Sequence, residues 1–301
     1  HYMKHLTIAG TLFLGAFAAT ACTTATITTE PAANSAPAFD EAFPPSLVEL
    51  HFESHGDRMN GHAYLAEGEG PHPTVVLLHG FPGNERNLDL AQDLRSNGFN
   101  VLFFHYRGAW GSAGTYSFTH VIEDVAAATD MLRANAETYR TAPDKLLLIG
   151  HSMGGFAALQ GAARDERITC VAGLAPADLG AIANAFDADP SSAQGFAGYA
   201  GSMQMLAGLN GEAALAEIRD NRDAFDVAGL APKLSGKSVL LIAADRDASV
   251  PPDFAHVPMV AAYEAEPGID LTAKILSGDH SFSWSREELI AEVLDWAETC
   301  R

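Results

Sequence analysis

The chain has 301 residues, 48% of them hydrophobic and 19% charged, enough for one large core or two small ones. Its formal net charge is −20. That balance argues against nucleic acid or an anionic membrane surface as a partner, because both are bound through basic patches.

His1 and Tyr2 precede Met3, the expected natural start. Lys4 and His5 supply a thin positive region, Leu6 to Thr20 is apolar and small, and Ala19-Thr20-Ala21 is an A-x-A cleavage signal with Cys22 directly after it. The apolar run is shorter than the roughly 20 residues a spanning helix needs. Residues 1–21 are therefore expected to be a signal peptide. The segment resembles a bacterial lipoprotein signal with Cys22 as the lipidated first residue, although Ala19 stands where such signals usually carry Leu. Two outcomes stay open: a lipid-anchored protein at the cell envelope, and plain secretion after Ala21. Apart from that anchor, no membrane partner is expected. Residues 22–46, rich in Thr, Ala, Pro and Ser, read as a flexible linker.

Strand and helix signals then alternate. "SLVELHFES" and "RMNGHAYLAE" carry a period of two and predict an antiparallel pair. "TVVLLHG" is continuously apolar, as a strand covered on both faces would be. "NERNLDLAQDLRSNG" has helical spacing, "NVLFFHY" is a second buried strand, and "HVIEDVAAATDMLRANAETY" a long helix with Val121, Val125, Ala128 and Leu132 on one stripe. "KLLLIG" predicts a strand, Met153 to Arg164 a helix, and "ITCVAGL" a strand. Between Pro176 and Pro232 the pattern loosens into helical pieces rich in Ala, Gly, Asn and Asp. "SVLLIAAD", "FAHVPMVAAYEAEPG", "LTAKILSG" and "REELIAEVLDWAETC" restore the alternation as strand, helix, strand and helix. The fold expected is α/β: a mostly parallel sheet with an antiparallel leading pair and helices on both faces.

Gly150-His151-Ser152-Met153-Gly154 fits G-x-S-x-G, with a strand before it and a helix after it. So tight a turn has no room for side chains two residues before and after the serine, and it lifts Ser152 above the sheet. "ADRDASVP" follows the strand "SVLLIAAD", and "SGDHSF" follows "LTAKIL". With these residues the chain resembles the α/β-hydrolase family over roughly residues 47–301, in the branch of esterases, prolyl-oligopeptidase-like enzymes and dienelactone hydrolases. The resemblance implies a triad in the order Ser152, Asp247, His280. Asp247 matches the family's D-x-x-V-P, with Asp245 as the rival acid. It also implies an oxyanion hole from the backbone N–H groups of Met153 and of Phe81, which follows His79-Gly80. His79 is expected to fix that loop. Arg107, within a loop similar to the family's D-x-R-G-x-G-x-S but with His105 in place of the Asp, is expected to be a buried structural cation partnered by Asp124. Trp110, Tyr116, Phe118, Tyr199 and Met203 are candidates for the substrate pocket. Phe186, Phe196, Met205 and Leu206 could join the apolar acyl side, and all of these could instead be packing.

The insert, about 177–232, is expected to form a small helical lid. "SGKS" lacks the upstream Gly of a phosphate loop, and "GAWGSAG" is not the dinucleotide fingerprint. No metal-binding pair or cofactor is expected. Cys170 and Cys300 could form a disulfide or remain two buried thiols. The function expected is a serine hydrolase acting on small-molecule acyl substrates, carboxylic esters first. The alternatives are a small peptidase, amidase or thioesterase, and a catalytically silent binding protein.

Overall fold

In a computed structural model of the protein, residues 39–301 are described. The expected signal peptide, Cys22 and the linker up to residue 38 lie outside them. The strands are β1 (Ser46–Ser54), β2 (Asp57–Leu65), β3 (His72–Leu78), β4 (Asn100–Phe104), β5 (Thr141–His151), β6 (Cys170–Leu174), β7 (Ser238–Ala244) and β8 (Asp270–Leu276). They form one eight-stranded sheet in the order β1-β2-β4-β3-β5-β6-β7-β8. β1 and β2 pair antiparallel, as do β2 and β4, and every later pairing is parallel. The mostly parallel sheet and its antiparallel leading pair are those expected from the alternation.

Consecutive strand residues face opposite ways, which explains the continuous apolar runs. Val75 and Leu77 of β3 join one core with α1 (Leu88–Ser96) and α9 (Arg286–Glu298). Val76 and Leu78 join the other with α2 (Phe118–Ala134), α3 (Met153–Arg164) and α8 (His256–Glu264). Both faces are covered, so both positions of each dipeptide are apolar.

Helices α1 and α2 depart from their expected bounds for identifiable local reasons. Asn87 adopts φ 54°, a left-handed conformation, so the chain enters α1 only at Leu88 and leaves residues 84–87 as a loop. α2 begins earlier than the pattern suggested because the Ser117 side chain accepts the His120 N–H at 3.1 Å, a helix cap. It ends at Ala134, and the Asn100 side chain donates to the carbonyls of Tyr139 and Arg140 beyond it.

The insert between β6 and β7 holds α4 (Leu179–Ala188), α5 (Pro190–Gly201), α6 (Gly211–Asp220) and α7 (Ala231–Leu234). Asp178 closes it on itself. One carboxylate oxygen caps α4 at Ala181 N, and the other accepts from Val227 N and Ala228 N at the far end. Phe186, Leu215 and Ile218 bury apolar surface against the same core as α2 and α3.

Cys170 and Cys300 are joined, with Cα atoms 6.3 Å apart, so of the two open readings the structure has the disulfide. The bridge ties the start of β6 to the chain after α9, across a separation of 130 residues. A loop that long places the stabilisation toward the upper part of the usual range, about 3–4 kcal/mol, worth ~5–15 °C in melting temperature for a domain of this size. A Cys170→Ala/Cys300→Ala protein is expected to melt lower by that amount. An unchanged thermal midpoint would show that the link contributes nothing.

Candidate active site

Ser152 stands between the last residue of β5 and the first of α3, at φ 58° and ψ −122°. A non-glycine residue is strained there. The flanking glycines make the conformation possible. A Cβ on Gly150 would lie 1.9 Å from the Gly154 carbonyl oxygen, and one on Gly154 would lie 2.2 Å from that of Leu78. The turn is pinned on both sides: Ser152 N–H donates to Leu174 O at 2.9 Å, and Ser152 O accepts from Ala177 N at 3.0 Å. Among the described residues, the backbone N–H groups of Met153 and Phe81 have no acceptor.

The two aspartates after β7 separate cleanly. Asp245 accepts from Gly278 N at 2.9 Å and organises the turn after β8. The Asp247 side chain is fully buried. Its Oδ1 accepts from Ser249 N and Val250 N, both at 2.8 Å, and its Oδ2 lies 2.6 Å from His280 Nδ1. The loop carrying His280 is held from below, where the His151 ring donates from Nε2 to His280 O at 2.7 Å.

Ser152 and His280 open together onto a cavity of about 390 Å³. Phe81, Phe118 and Val250 form its body side. Leu179, Ile182 and Phe186 of α4, Phe196 and Tyr199 of α5, and Ile218 of α6 form its insert side. A second cavity of about 230 Å³ meets the first at Ser152 and His280 and is bounded by Asn84, Glu85 and Ser281. A larger opening between α2 and α3, about 430 Å³, is lined by none of these residues.

Of the residues expected in the pocket, Phe118, Phe186, Phe196 and Tyr199 line the cavity. Trp110, Tyr116, Met203, Met205 and Leu206 do not, so for these the structure has the packing reading that the sequence left open. Trp110 turns to the outer loop, where its Nε1–H donates to Pro82 O at 2.8 Å and the Arg86 guanidinium lies 4.5 Å over its ring. Tyr116 is buried beneath the cavity wall, with ring centroids 5.8 Å from Phe81 and 5.9 Å from Phe118. Met203, Met205 and Leu206 lie on a segment whose backbone pairs with the loop after β4: Trp110 N donates to Met205 O and Leu206 bridges Ala109. Sequence reasoning missed Leu179 and Ile182 of α4 and Ile218 of α6. Their signal was the three-residue apolar spacing, Leu179, Ile182 on α4 and Leu215, Ile218 on α6.

Arg107 is a buried structural cation, as expected. Its Nε donates to Asp124 Oδ1 at 2.6 Å and its backbone N–H to Asp124 Oδ2 at 2.7 Å. Glu123, which the sequence did not single out, pairs with its Nη2.

Among the described residues no cluster of three or more His, Cys, Asp or Glu could hold a metal ion. Three imidazoles are held far from their usual range. Burial pushes His79 down to about 4 and His151 to about 4, the latter helped by the adjacent His280. Burial and the neighbouring His79 push His105 to about 3. Each binds its proton more tightly in the unfolded chain, where it titrates near 6.5. Stability from these groups is therefore complete above about pH 6.5 and lost as pH falls toward 4, at up to ~1.4 kcal/mol per pH unit for each of the buried His79 and His151 and less for the half-buried His105, where solvent screens the charge. Denaturant midpoints at pH 7, 6 and 5 should decline accordingly; a flat series contradicts it.

A mostly parallel eight-stranded sheet, a serine on a strained strand-to-helix turn, and an Asp–His pair beyond β7 and β8 together define the α/β-hydrolase class of fold. The chain belongs to the alpha/beta hydrolase family, whose family model matches residues 75–293. It is similar to the uncharacterized protein YfhR of Escherichia coli (strain K12), 31% identical over 117 residues that make up 37% of this chain and 40% of YfhR. The matched region thus spans less than half of that relative's length. Among solved structures it is similar to the esterase Pf2001 of Pyrococcus furiosus, with a TM-score of 0.62 at 18% identity over 86% of this chain and 93% of that one. Est1E from Butyrivibrio proteoclasticus gives 0.62 at 18% identity, over 84% and 98%. At these identities the likeness is one of fold.

Proposed function

We propose that the protein is a serine hydrolase that cleaves acyl bonds, carboxylic esters foremost, through an acyl-enzyme on Ser152. The observation that carries this is the 2.6 Å contact between His280 Nδ1 and the buried Asp247 carboxylate, on a cavity that Ser152 shares. With Nδ1 committed to Asp247, the free Nε2 of His280 is the base for the Ser152 hydroxyl. As Ser152 Oγ attacks the acyl carbon, the proton passes to Nε2 and Asp247 stabilises the imidazolium. The oxyanion meets the N–H groups of Phe81 and Met153, whose freedom from other acceptors suits that use. His280 then protonates the departing alcohol. In the second half it activates the water that releases the acid.

The apolar cavity suits the acyl group, and the insert, acting as a lid, supplies half of its wall. That the similar structures include an esterase, Pf2001, supports the choice of esters as the first substrates. Export is part of the same proposal, supported by the N-terminal segment and by a disulfide of the kind that persists in oxidising compartments. Mass spectrometry of the mature N-terminus distinguishes an acylated Cys22 from plain cleavage.

The wild-type protein should be labelled by a fluorophosphonate and should hydrolyse p-nitrophenyl esters faster than a prolyl anilide. Ser152→Ala should abolish both labelling and turnover. Equal labelling of the two proteins sinks the nucleophile assignment, and faster cleavage of the anilide shifts the function to a peptidase.

A further inference from the structure

We propose that His105, acting through His79, is a positioning residue that aims the Phe81 N–H at the reacting carbonyl; this rests on the oxyanion role given to Phe81 above. The Gly80–Phe81 peptide is a planar trans unit, so its C=O and N–H point in opposite directions. Whatever anchors Gly80 O therefore sets the direction of the Phe81 N–H. The anchor is the ring of His79, whose Nδ1 lies 2.8 Å from Gly80 O.

A carbonyl oxygen only accepts, so His79 Nδ1 carries the proton. In the neutral ring Nε2 is then an acceptor. Facing it at 3.2 Å is His105 Nδ1, which must donate. The relay runs His105 Nδ1–H to His79 Nε2, then His79 Nδ1–H to Gly80 O, and ends at the Phe81 amide. His79 is 1% exposed and His105 half-buried, so the relay reaches from the interior toward solvent. Both rings are held neutral at neutral pH by burial, with the Arg86 charge adding to the effect.

The surroundings leave His79 no other donor for Nε2. Phe103 packs on both rings, at 5.8 Å from His79 and 5.2 Å from His105. The Tyr106 hydroxyl is spent on His79 O at 2.9 Å, and Trp110, stacked 6.0 Å from His105, is spent on Pro82 O. The charged or titratable groups near the pair are Arg86, from the loop after β3, and His62, from β2; neither hydrogen-bonds to His79. Without His105 the His79 ring would keep a buried, unpaired acceptor. It could relieve this by moving its proton to Nε2 or by turning. Either change releases Gly80 O and, with it, the aim of the Phe81 N–H. Because that N–H matters only once an oxyanion forms, the loss should fall on kcat and spare KM.

Two variants and one spectrum test this. His105→Leu keeps bulk and removes the donor. His105→Asn returns an amide N–H near the place of Nδ1. With p-nitrophenyl butyrate, His105→Leu should lower kcat about 10-fold, short of the 10²–10³ that deleting a whole donor costs. KM should stay within about twofold, and His105→Asn should recover most of the loss. Wild-type kcat in His105→Leu overturns the proposal, as does an equal loss in both variants. Imidazole ¹⁵N spectra of the wild-type protein should show His79 and His105 each protonated at Nδ1. A proton on Nε2 of His79 overturns the relay even if the variants fail to fold. If the wild-type protein neither hydrolyses esters nor takes up fluorophosphonate, the function proposed above falls, while the tautomers still decide the relay.

Discussion

Asp247→Asn is expected to fold and to lose roughly four orders of magnitude in kcat, while Asp245→Asn stays within a few-fold of wild type. The difference follows from which oxygens are engaged. Asp247 Oδ1 already accepts two backbone N–H groups, from Ser249 and Val250. An asparagine there must keep its single carbonyl oxygen on those donors, or leave two buried N–H groups unpaired. Its NH2 group then faces His280 Nδ1, where Oδ2 lies 2.6 Å away in the native protein. Two donors cannot share that contact, so the imidazole shifts its proton to Nε2. In that tautomer His280 has nothing with which to accept the Ser152 proton. Asp245 is different, because its main partner is Gly278 N on Oδ1, which an asparagine oxygen can replace. Steady-state ester hydrolysis by both variants, with melting curves as the folding control, decides the matter. A larger loss in Asp245→Asn would reassign the acid.

The features legible in the sequence are those that short range determines. The α3 helix is bounded as expected because the glycines of the turn and the apolar stripe of the helix are local demands. Ser152, Asp247 and His280 each sit just past a strand, where a turn chemistry is written in adjacent residues. The parallel sheet was legible because buried strands read as unbroken apolar runs. The pocket was harder. Whether Trp110, Tyr116 or Met203 reaches the cavity depends on how the insert docks against the loop after β4, and no local pattern encodes that pairing. Tyr116 and Phe118 are two residues apart, yet one lies under the wall and the other forms it. The fate of Cys170 and Cys300 was open for the same reason, since their approach depends on where the chain after α9 returns to the start of β6. Glu123 was overlooked because Asp124 already accounted for the charge on Arg107, and only the fold shows the guanidinium held by both.

That buried arginine carries the largest stability effect expected of a single substitution. Asp124→Ala should cost about 3–5 kcal/mol, the usual result of removing one partner from a buried ion pair. The Asp124 side chain is 0% exposed and that of Arg107 4%, so water cannot replace the lost carboxylate. Two donations are at stake, since Asp124 takes the backbone N–H of Arg107 as well as its Nε, while Glu123 holds only Nη2. Against a total stability of about 5–15 kcal/mol, such a loss leaves a protein that is marginal at physiological temperature. Replacing both members tests whether the pair, and not the packing, is responsible. Arg107→Met alone leaves an unpaired carboxylate and should also be costly, but Arg107→Met/Asp124→Ala removes both charges. The double variant should be less destabilised than the two single variants summed, by about 1–3 kcal/mol in a denaturant cycle. Strict additivity would mean that the two side chains do not act as a pair. The consequence for the site follows from position: Arg107 sits directly after Tyr106, whose hydroxyl holds His79 O, and three residues before Trp110, which holds Pro82 O. Loosening Arg107 therefore loosens the loop that presents the Phe81 amide, and Asp124→Ala should lose ester turnover at temperatures where its circular dichroism is still native.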